Sequence, residues 1–178
     1  MTAEPALPII RRATPADATA LAEFAAYVYA ESFAADTPPA DLDLFLRETY
    51  STAVQEAELR DAAISTYVAE EADGALVAFF QVRVSRVPPG VADPDALELG
   101  RFYVSSSRHG SGLAQRLMEA AVAEAASRGA ATLWLSTWEI NGRARAFYEK
   151  RGFVEVGKRE FVVGTDVQID RVMIVSIG

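Results

Sequence analysis

A chain of 178 residues, 51% of them hydrophobic and 24% charged, has the composition of one folded globular domain, which excludes a disordered or low-complexity protein. The formal net charge of −8 disfavours general binding to nucleic acid or an anionic membrane surface and favours cationic ligands. With no cysteine and a single histidine, the chain has no thiolate nucleophile, no disulfide and no multi-His zinc site. Neither a signal peptide nor a run of 18 apolar residues is present, so we predict a cytoplasmic protein with no metal and no membrane partner.

The first half of the chain is predicted to place a helical region between a short strand and a β-hairpin. Pro15 fits the first turn of a helix, and the pair Pro38-Pro39 ends that helix before a second amphipathic segment begins. Asp73-Gly74 is a tight-turn signal between two strand-like runs. In chain order the predicted elements are a strand at 9–12, a helix to about residue 30, short helices from residue 40, and strands at 64–69 and 75–84.

The second half is predicted to contain a parallel crossover, a further helix and two final strands. A strand and a following helix lead into the apolar run "ATLWLSTW", and such a connection is parallel and right-handed. The predicted elements are strands at 97–104 and 131–138 flanking a helix at 113–128, then a helix at 141–152 and strands at 153–156 and 168–175. The order β-αα-β-β-β-α-β-α-β-β predicts an α/β fold, with helices packed on a mixed sheet, as a single domain over residues 1–178.

The stretch "SSSRHGSGLAQRLMEAA" places two glycines directly before a helix. Gly110 and Gly112 allow the backbone to pass close to another molecule, and the helix beginning near Leu113 directs its free N–H groups outward. Together these features predict an anion site suited to a phosphate or pyrophosphate, although the glycines alone are equally consistent with a tight turn. A Walker loop is excluded because Leu113 follows Gly112, and a dinucleotide fingerprint is excluded because Gln115 stands where it needs glycine.

This stretch resembles the acyl-CoA-binding motif of the GNAT superfamily of N-acetyltransferases, Gln/Arg-x-x-Gly-x-Gly/Ala, with His109 in the first position. A second stretch, "WEINGRARAFYEKRGF", is similar to the family's later motif, with matches at Asn141, Ala144 and Tyr148. Within the superfamily the chain looks most like bacterial PaiA-type spermidine/spermine N-acetyltransferases, which "LELGRFYV" and "FVVGTDVQID" resemble. Such relatives often carry Glu where Gly100 stands, which leaves the general base open.

The resemblance implies acetyl transfer from acetyl-CoA by direct attack of an amine on the thioester, through a tetrahedral intermediate. Tyr148 would act as general acid toward the departing thiolate. A strand amide would stabilise the developing oxyanion, and residues 102–104 would bind the pantetheine arm. The implied cofactor-binding residues are Phe102, Tyr103, Val104, His109, Gly110, Ser111, Gly112, Leu113, Ala114 and Asn141.

Carboxylates are the candidates for accepting the amine's proton and for attracting the substrate. Strand alternation would place Glu98 on the same face as Gly100, Phe102 and Val104, which makes it the first candidate base. Glu139 is the second candidate, and either residue is equally consistent with a solvated carboxylate. Three further acidic residues lie near the first helical break, where family members build the acceptor mouth: Glu31, Asp36 and Asp41.

Three functions remain open at this point. The first is acetylation of a small-molecule primary amine, with a polyamine preferred because the chain is acidic. The second keeps the chemistry but uses a protein N-terminus, an amino acid or an antibiotic amine as the acceptor. The third is a catalytically silent CoA-binding sensor, which the Gly at position 100 favours and Tyr148 disfavours. The resemblance also makes a homodimer one option, because family members often pair through their terminal strands.

Overall fold

The computed structural model describes residues 7–178 and has one mixed sheet with helices on both faces. The strands are β1 (Ile9–Arg12), β2 (Ile64–Glu70), β3 (Leu76–Arg83), β4 (Leu97–Val104), β5 (Thr132–Trp138), β6 (Val154–Val163) and β7 (Asp166–Ser176). The α-helices are α1 (Ala18–Phe33), α2 (Pro39–Tyr50), α3 (Thr52–Arg60), α4 (Leu113–Ser127) and α5 (Gly142–Lys150). The strand order across the sheet is β1-β2-β3-β4-β5-β7-β6, which confirms the predicted α/β class.

Two elements differ from the sequence prediction. Three α-helices separate β1 from β2, which agrees with the short helices predicted after the first helix but exceeds the two in the predicted element order. The third begins because Ser51 adopts extended backbone angles and its hydroxyl accepts a hydrogen bond from the Val54 amide. Such a serine begins a new helix. Strand β6 was predicted to end at residue 156, yet it continues to Val163 and pairs with β7 in a long antiparallel hairpin.

The predicted parallel crossover is confirmed, but the two parallel strands meet only at their N-terminal ends. Strand β4 pairs with β5 at Leu97–Leu133 and at Glu98–Trp134, and no further partners follow. Strand β5 instead pairs with β7 along its full length. The sheet therefore opens into a gap between the C-terminal halves of β4 and β5.

A β-bulge at Gly100 changes which side chains share a face of β4. Arg101 pairs with Gln81 and Leu99 pairs with Val82, so Gly100 has no partner in β3. An extra residue of this kind reverses the alternation beyond it. Leu99 and Phe102 accordingly belong to the same hydrophobic cluster although they are three residues apart.

The bulge contradicts the predicted position of Glu98. We expected Glu98 to share a face with Phe102 and Val104, but those two side chains lie on the face covered by α4 and α5. Glu98 points to the opposite face, on which Tyr103 packs among residues of α1 and α2. The simple two-residue alternation used for the prediction fails because one residue of the strand is unpaired.

Two hydrophobic clusters hold the helices to the sheet. Leu113, Leu117 and Met118 of α4 pack with Phe80 and Leu133 on one face. The other face carries a cluster of α1 and strand residues, built around Leu21, Val28, Tyr29, Val68 and Phe79. No helix within residues 7–178 has the length and apolarity needed to cross a membrane.

An ion pair at the start of α1 gives a testable contribution to stability. Arg11 donates hydrogen bonds to both carboxylate oxygens of Asp17, at 2.8 and 3.0 Å, and this pairing lowers the pKa of Asp17 to about 2. Because the pKa is lowered on folding, the stabilisation is complete above the unfolded pKa of about 3.9 and is lost as the pH falls toward 2. Asp17→Asn should reduce the free energy of unfolding by about 1 kcal/mol at pH 7, allowing for solvent screening, and by progressively less below pH 4.

Urea denaturation at pH 7, 4, 3 and 2 measures this difference. Asp43→Asn is the matched control, because Asp43 also pairs with an arginine, Arg47, but both side chains are exposed. Its free energy of unfolding should change little at any of these pH values. An equal loss in the two variants, or a loss in Asp17→Asn that does not shrink at low pH, would contradict the assignment.

Candidate active site

A cavity of about 560 Å³ begins at the gap between β4 and β5 and continues between α1 and the β6–β7 hairpin. This volume suits a small-molecule site. Its lining divides into two halves. One half is formed by His109 and Ala114, which flank the turn at Gly110 and Gly112, together with residues of β4 and α5, and the other is rich in aromatic side chains from α1, β4, β5 and β6. The aromatic residues of that second half, here called the acceptor half, are Tyr29, Phe33, Tyr103, Trp138 and Phe161.

The glycine turn has the geometry of an anion site. Gly110 and Gly112 both have positive φ, 78° and 81°, and Gly112 is the N-cap of α4. Among residues 7–178 no side chain caps this helix, and no acidic residue lies in its first turn. The Ser111 hydroxyl lies 3.4 Å from the Leu113 nitrogen, the first amide of the helix. The free N–H groups and the positive end of the helix dipole therefore fit the diphosphate of a nucleotide cosubstrate.

His109 and Val104 stand beside this turn, as predicted, but they bind each other. The His109 Nε2 atom lies 3.1 Å from the carbonyl oxygen of Val104. A carbonyl can only accept, so Nε2 carries the hydrogen and donates it. Residues 102–104 pair with β3 on one side and face the gap on the other, where their free backbone groups fit an extended ligand. A pantetheine contact with the Val104 carbonyl would have to replace His109.

Tyr148 lies on α5 with its ring buried and its side chain in the cavity lining. The ring packs against Phe102, Phe147 and Phe153, with centroid distances of 6.2, 5.6 and 5.7 Å. Burial is the only cause that raises the pKa of Tyr148 above its ordinary value. The phenol therefore stays protonated at neutral pH, as a proton donor must.

Asn141 lines the cavity together with Tyr148, but it lies just before the first residue of α5 as the N-cap of that helix. Its Oδ1 atom accepts a hydrogen bond from the Ala144 amide at 3.1 Å, so the side chain caps the helix. The cap fixes where α5 begins and thereby helps to position Tyr148 seven residues later. The Asn141 amide group remains available to a ligand.

The Arg83 guanidinium occupies the space that a side chain at position 100 would fill, because residue 100 is glycine. A Cβ atom at position 100 would lie 2.6 Å from the Nε atom of Arg83. That guanidinium donates to both oxygens of Glu98, at 2.7 and 3.1 Å, and Glu98 is buried. Where relatives of this kind often have a glutamate, this chain therefore has an Arg83–Glu98 ion pair.

Asp170 is a functional candidate for which the sequence analysis predicts no role. It is buried, lines the cavity and accepts a hydrogen bond from the Ser136 hydroxyl through Oδ2 at 2.8 Å. Burial raises the pKa of Asp170, while Ser136 and Arg159 lower it by a smaller amount. Its membership of the tail pattern "FVVGTDVQID" was the only signal, because its partners lie on other strands.

Three of the other predicted acidic residues, Glu31, Asp41 and Glu139, bind partners within the protein. Glu31 lines the cavity, but it accepts hydrogen bonds from the amide and hydroxyl of Ser106, which lower its pKa. Asp41 binds the amide and hydroxyl of Thr165, and neither it nor Asp36 lines the cavity. Glu139 pairs with Arg171 outside the cavity. The prediction of an acidic mouth from Asp36 and Asp41 is therefore wrong, because Asp41 is bound to Thr165 and Asp36, in the turn between α1 and α2, does not line the cavity.

Comparison with known proteins identifies the family. The acetyltransferase (GNAT) family matches residues 27–153. An uncharacterised N-acetyltransferase of Lactobacillus delbrueckii subsp. lactis is 30% identical over 142 residues, covering 80% of this chain and 82% of the relative. Streptothricin acetyltransferase of Streptomyces lavendulae is 31% identical over 160 residues, covering 83% and 82% of the two chains.

Solved structures agree with this fold. The PaiA N-acetyltransferase of Thermoplasma acidophilum, crystallised in complex with coenzyme A, has a TM-score of 0.75 at 20% identity, covering 94% of this chain and 98% of that chain. The fold, the glycine turn at the open gap and the family match lead to one conclusion. The chain belongs to the GNAT family and is an N-acetyltransferase that uses acetyl-CoA.

Proposed function

We propose that this enzyme transfers the acetyl group directly from acetyl-CoA to the primary amine of a small molecule, with Tyr148 as general acid. One observation carries the proposal. The buried phenol of Tyr148 lines the same cavity as His109 and Ala114, which flank the glycine turn, so this cavity reaches from the edge of that turn to the phenol. A thioester bound along that gap would have its sulfur near the phenol.

The backbone of the chain would hold and activate the thioester. The amides at the start of α4 bind the diphosphate, and residues 102–104 bind the pantetheine arm along the free edge of β4. An amide of β4 near the Gly100 bulge would stabilise the oxyanion that develops on the carbonyl oxygen. Fixed amides of this kind contribute strongly because they need no reorganisation during the reaction.

Two proton transfers complete the reaction. The amine nitrogen first forms a bond to the carbonyl carbon, which gives the tetrahedral intermediate and its oxyanion. When this intermediate collapses, the carbon–sulfur bond breaks and the Tyr148 hydroxyl gives its proton to the departing thiolate. A free phenol, with a pKa near 10, is a weaker acid than a free thiol, with a pKa near 8.5, and burial raises the pKa of Tyr148 further. The phenol therefore keeps its proton until negative charge develops on the sulfur.

For the amine's proton we propose Asp170 in place of the sequence candidate Glu98. Both Glu98 oxygens accept hydrogen bonds from Arg83, so protonation would break a charge-assisted pair. Asp170 lines the cavity, and within residues 7–178 its only hydrogen bond is the one that Oδ2 accepts from Ser136. A buried carboxylate with a raised pKa is the better proton acceptor.

For the acetyl acceptor we propose a chemical class, a small-molecule primary amine. A polyamine was the sequence preference, and the likeness to the PaiA fold supports only the fold at 20% identity. The similarity to streptothricin acetyltransferase supports an antibiotic amine as an alternative. These acceptors differ in charge and size, so a single panel of amines separates them.

The test measures release of free CoA thiol from acetyl-CoA by the purified chain. The panel contains spermidine, the free amino acids, a peptide with a free N-terminus and a streptothricin-class antibiotic, with a reaction lacking amine as the control. At least one amine should raise thiol release above the control and yield an N-acetylated product by mass spectrometry. Tight CoA binding by calorimetry with no release for any amine would instead support the silent sensor.

Three sequence predictions stay predictions: a single domain over residues 1–178, a cytoplasmic location and a homodimer. Exposed valines on the terminal hairpin, Val154, Val162 and Val167, favour pairing through that hairpin. Sedimentation of the purified chain would measure the oligomeric state.

A further inference from the structure

We propose that the acceptor half of the cavity recognises a zwitterion, with Arg159 binding a carboxylate and Asp170 binding the ammonium group beside it. The preferred acceptor would then be a free amino acid. This inference rests on the proposed acetyl transfer, and it narrows the acceptor beyond the general class of small amines.

Four arginines line the cavity, of which Arg143 is exposed and Arg83, Arg101 and Arg159 are buried or half-buried. Arg83 is neutralised by Glu98 through two hydrogen bonds. Arg101 is neutralised by Glu58, again through two hydrogen bonds, at 2.5 and 3.0 Å. Both guanidinium groups therefore have partners within the protein.

Arg159 differs from these two arginines. It donates no hydrogen bond to any residue in the described range 7–178, and its Nε atom is buried without a partner. The nearest carboxylate oxygen belongs to Glu98, at 4.0 Å, and that group already binds Arg83. A guanidinium with five donors and so few acceptors is ready to bind an anion.

Aromatic contacts hold Arg159 in place. Its guanidinium carbon lies 5.3 Å from the centre of the Trp134 ring and 6.0 Å from that of Phe161. These cation–π contacts restrict the side chain, so less entropy is lost when an anion binds. The side chain is still 28% exposed and lines the cavity, so a ligand can reach it.

Asp170 stands directly across the β6–β7 ladder from Arg159. Cross-strand partners on one face have Cβ atoms about 5 Å apart. The two charges nevertheless make no ion pair within 4.0 Å of each other, and both line the cavity. The two charged groups are therefore cross-strand neighbours that do not form an ion pair, and one small molecule carrying both an ammonium and a carboxylate would satisfy both at once.

A polyamine fits this arrangement less well. It could pair with Asp170 and with Glu31, the other lining carboxylate that has no arginine partner within residues 7–178, but an ammonium group beside Asp170 would also meet Arg159. Like charges at short range in a partly buried cavity are unfavourable. The net charge of −8 lies mainly elsewhere on the chain and does not describe this cavity.

The experiment compares each of the twenty amino acids, and β-alanine, with its own carboxamide as acceptor. The carboxamide keeps the size and the amine but removes the negative charge. For the best amino acid, kcat/KM should exceed that of its carboxamide by about 10-fold or more, as expected for one charge-assisted hydrogen bond. Arg159→Gln should lower kcat/KM for the amino acid about 10–100-fold and leave the carboxamide within about 3-fold, which removes the preference.

Two further variants keep this test decisive. Arg159→Lys preserves the charge and should retain part of the preference, even if loss of the Trp134 contact makes Arg159→Gln less stable. Lys158→Gln removes a positive charge from the exposed neighbouring position and should leave the preference unchanged.

The outcomes separate this inference from the proposed function. If wild-type enzyme acetylates spermidine or the carboxamides as well as the amino acids, or Arg159→Gln slows both acceptors equally, the zwitterion site is wrong and acetyl transfer stands. If no amine raises thiol release, the proposed function fails and this inference fails with it.

Discussion

Tyr148→Phe is expected to lower kcat by about 10²–10⁴-fold, the usual contribution of general acid catalysis, while CoA binding is retained. The substitution removes only the hydroxyl. The ring keeps its contacts with Phe102, Phe147 and Phe153, so the fold should not change. Steady-state thiol release and calorimetric titration with CoA measure the two quantities separately.

Tyr67→Phe is the matched control for this prediction. It also removes one phenol hydroxyl, which donates to Glu124 at 2.8 Å, but Tyr67 does not line the cavity. Its turnover should stay within about 2-fold of wild type, because no group near the reacting atoms changes. Full turnover by Tyr148→Phe would remove Tyr148 from the mechanism.

The pH profile gives a second check on Tyr148. A general acid must be protonated, and burial raises the pKa of this phenol above the ordinary value near 10. Activity should therefore show no alkaline decline below pH 10 that depends on Tyr148. A decline below pH 9 that disappears in Tyr148→Phe would contradict the effect of burial.

Much of the cosubstrate side of the site could be predicted because it is local in sequence. One short contiguous stretch contains the turn at Gly110 and Gly112 and the helix that follows it. The glycines indicate the turn, and the spacing of the apolar residues indicates the helix. Tyr148 lies on the next helix, seven residues after its cap. Such contacts need no knowledge of which strands become neighbours.

The acceptor side could not be predicted in this way. The bulge at Gly100 depends on pairing with β3, and it moved Glu98 to the other face. Arg159 and Asp170 are cross-strand neighbours because β6 extends seven residues beyond its predicted end. Gly164-Thr165, a turn flanked by strand-forming residues, was a signal for this hairpin. Charged residues in β6 interrupt the alternation of apolar and polar residues that would have indicated the strand.

Asp170→Asn is expected to lower kcat/KM by about 10²-fold or more, because the amide cannot take a proton from the amine. Its oxygen can still accept the Ser136 hydrogen bond, so the fold should be preserved. In wild type, kcat/KM should fall as the pH drops through the pKa of Asp170, because the protonated carboxyl no longer acts as a base. Burial places this fall above the ordinary Asp value of about 3.9, although Arg159 and Ser136 oppose the shift.

Glu98→Gln separates the two candidate bases. It removes the other buried carboxylate of the cavity and weakens the hold on Arg83, yet it should retain the fall in kcat/KM at acid pH, because Asp170 is unchanged. Asp170→Asn should lose that fall. The reverse pattern, with the fall lost in Glu98→Gln and kept in Asp170→Asn, would restore Glu98 as the base. Asp170 would then serve only to hold the ammonium group of the acceptor, since its position opposite Arg159 does not depend on proton transfer.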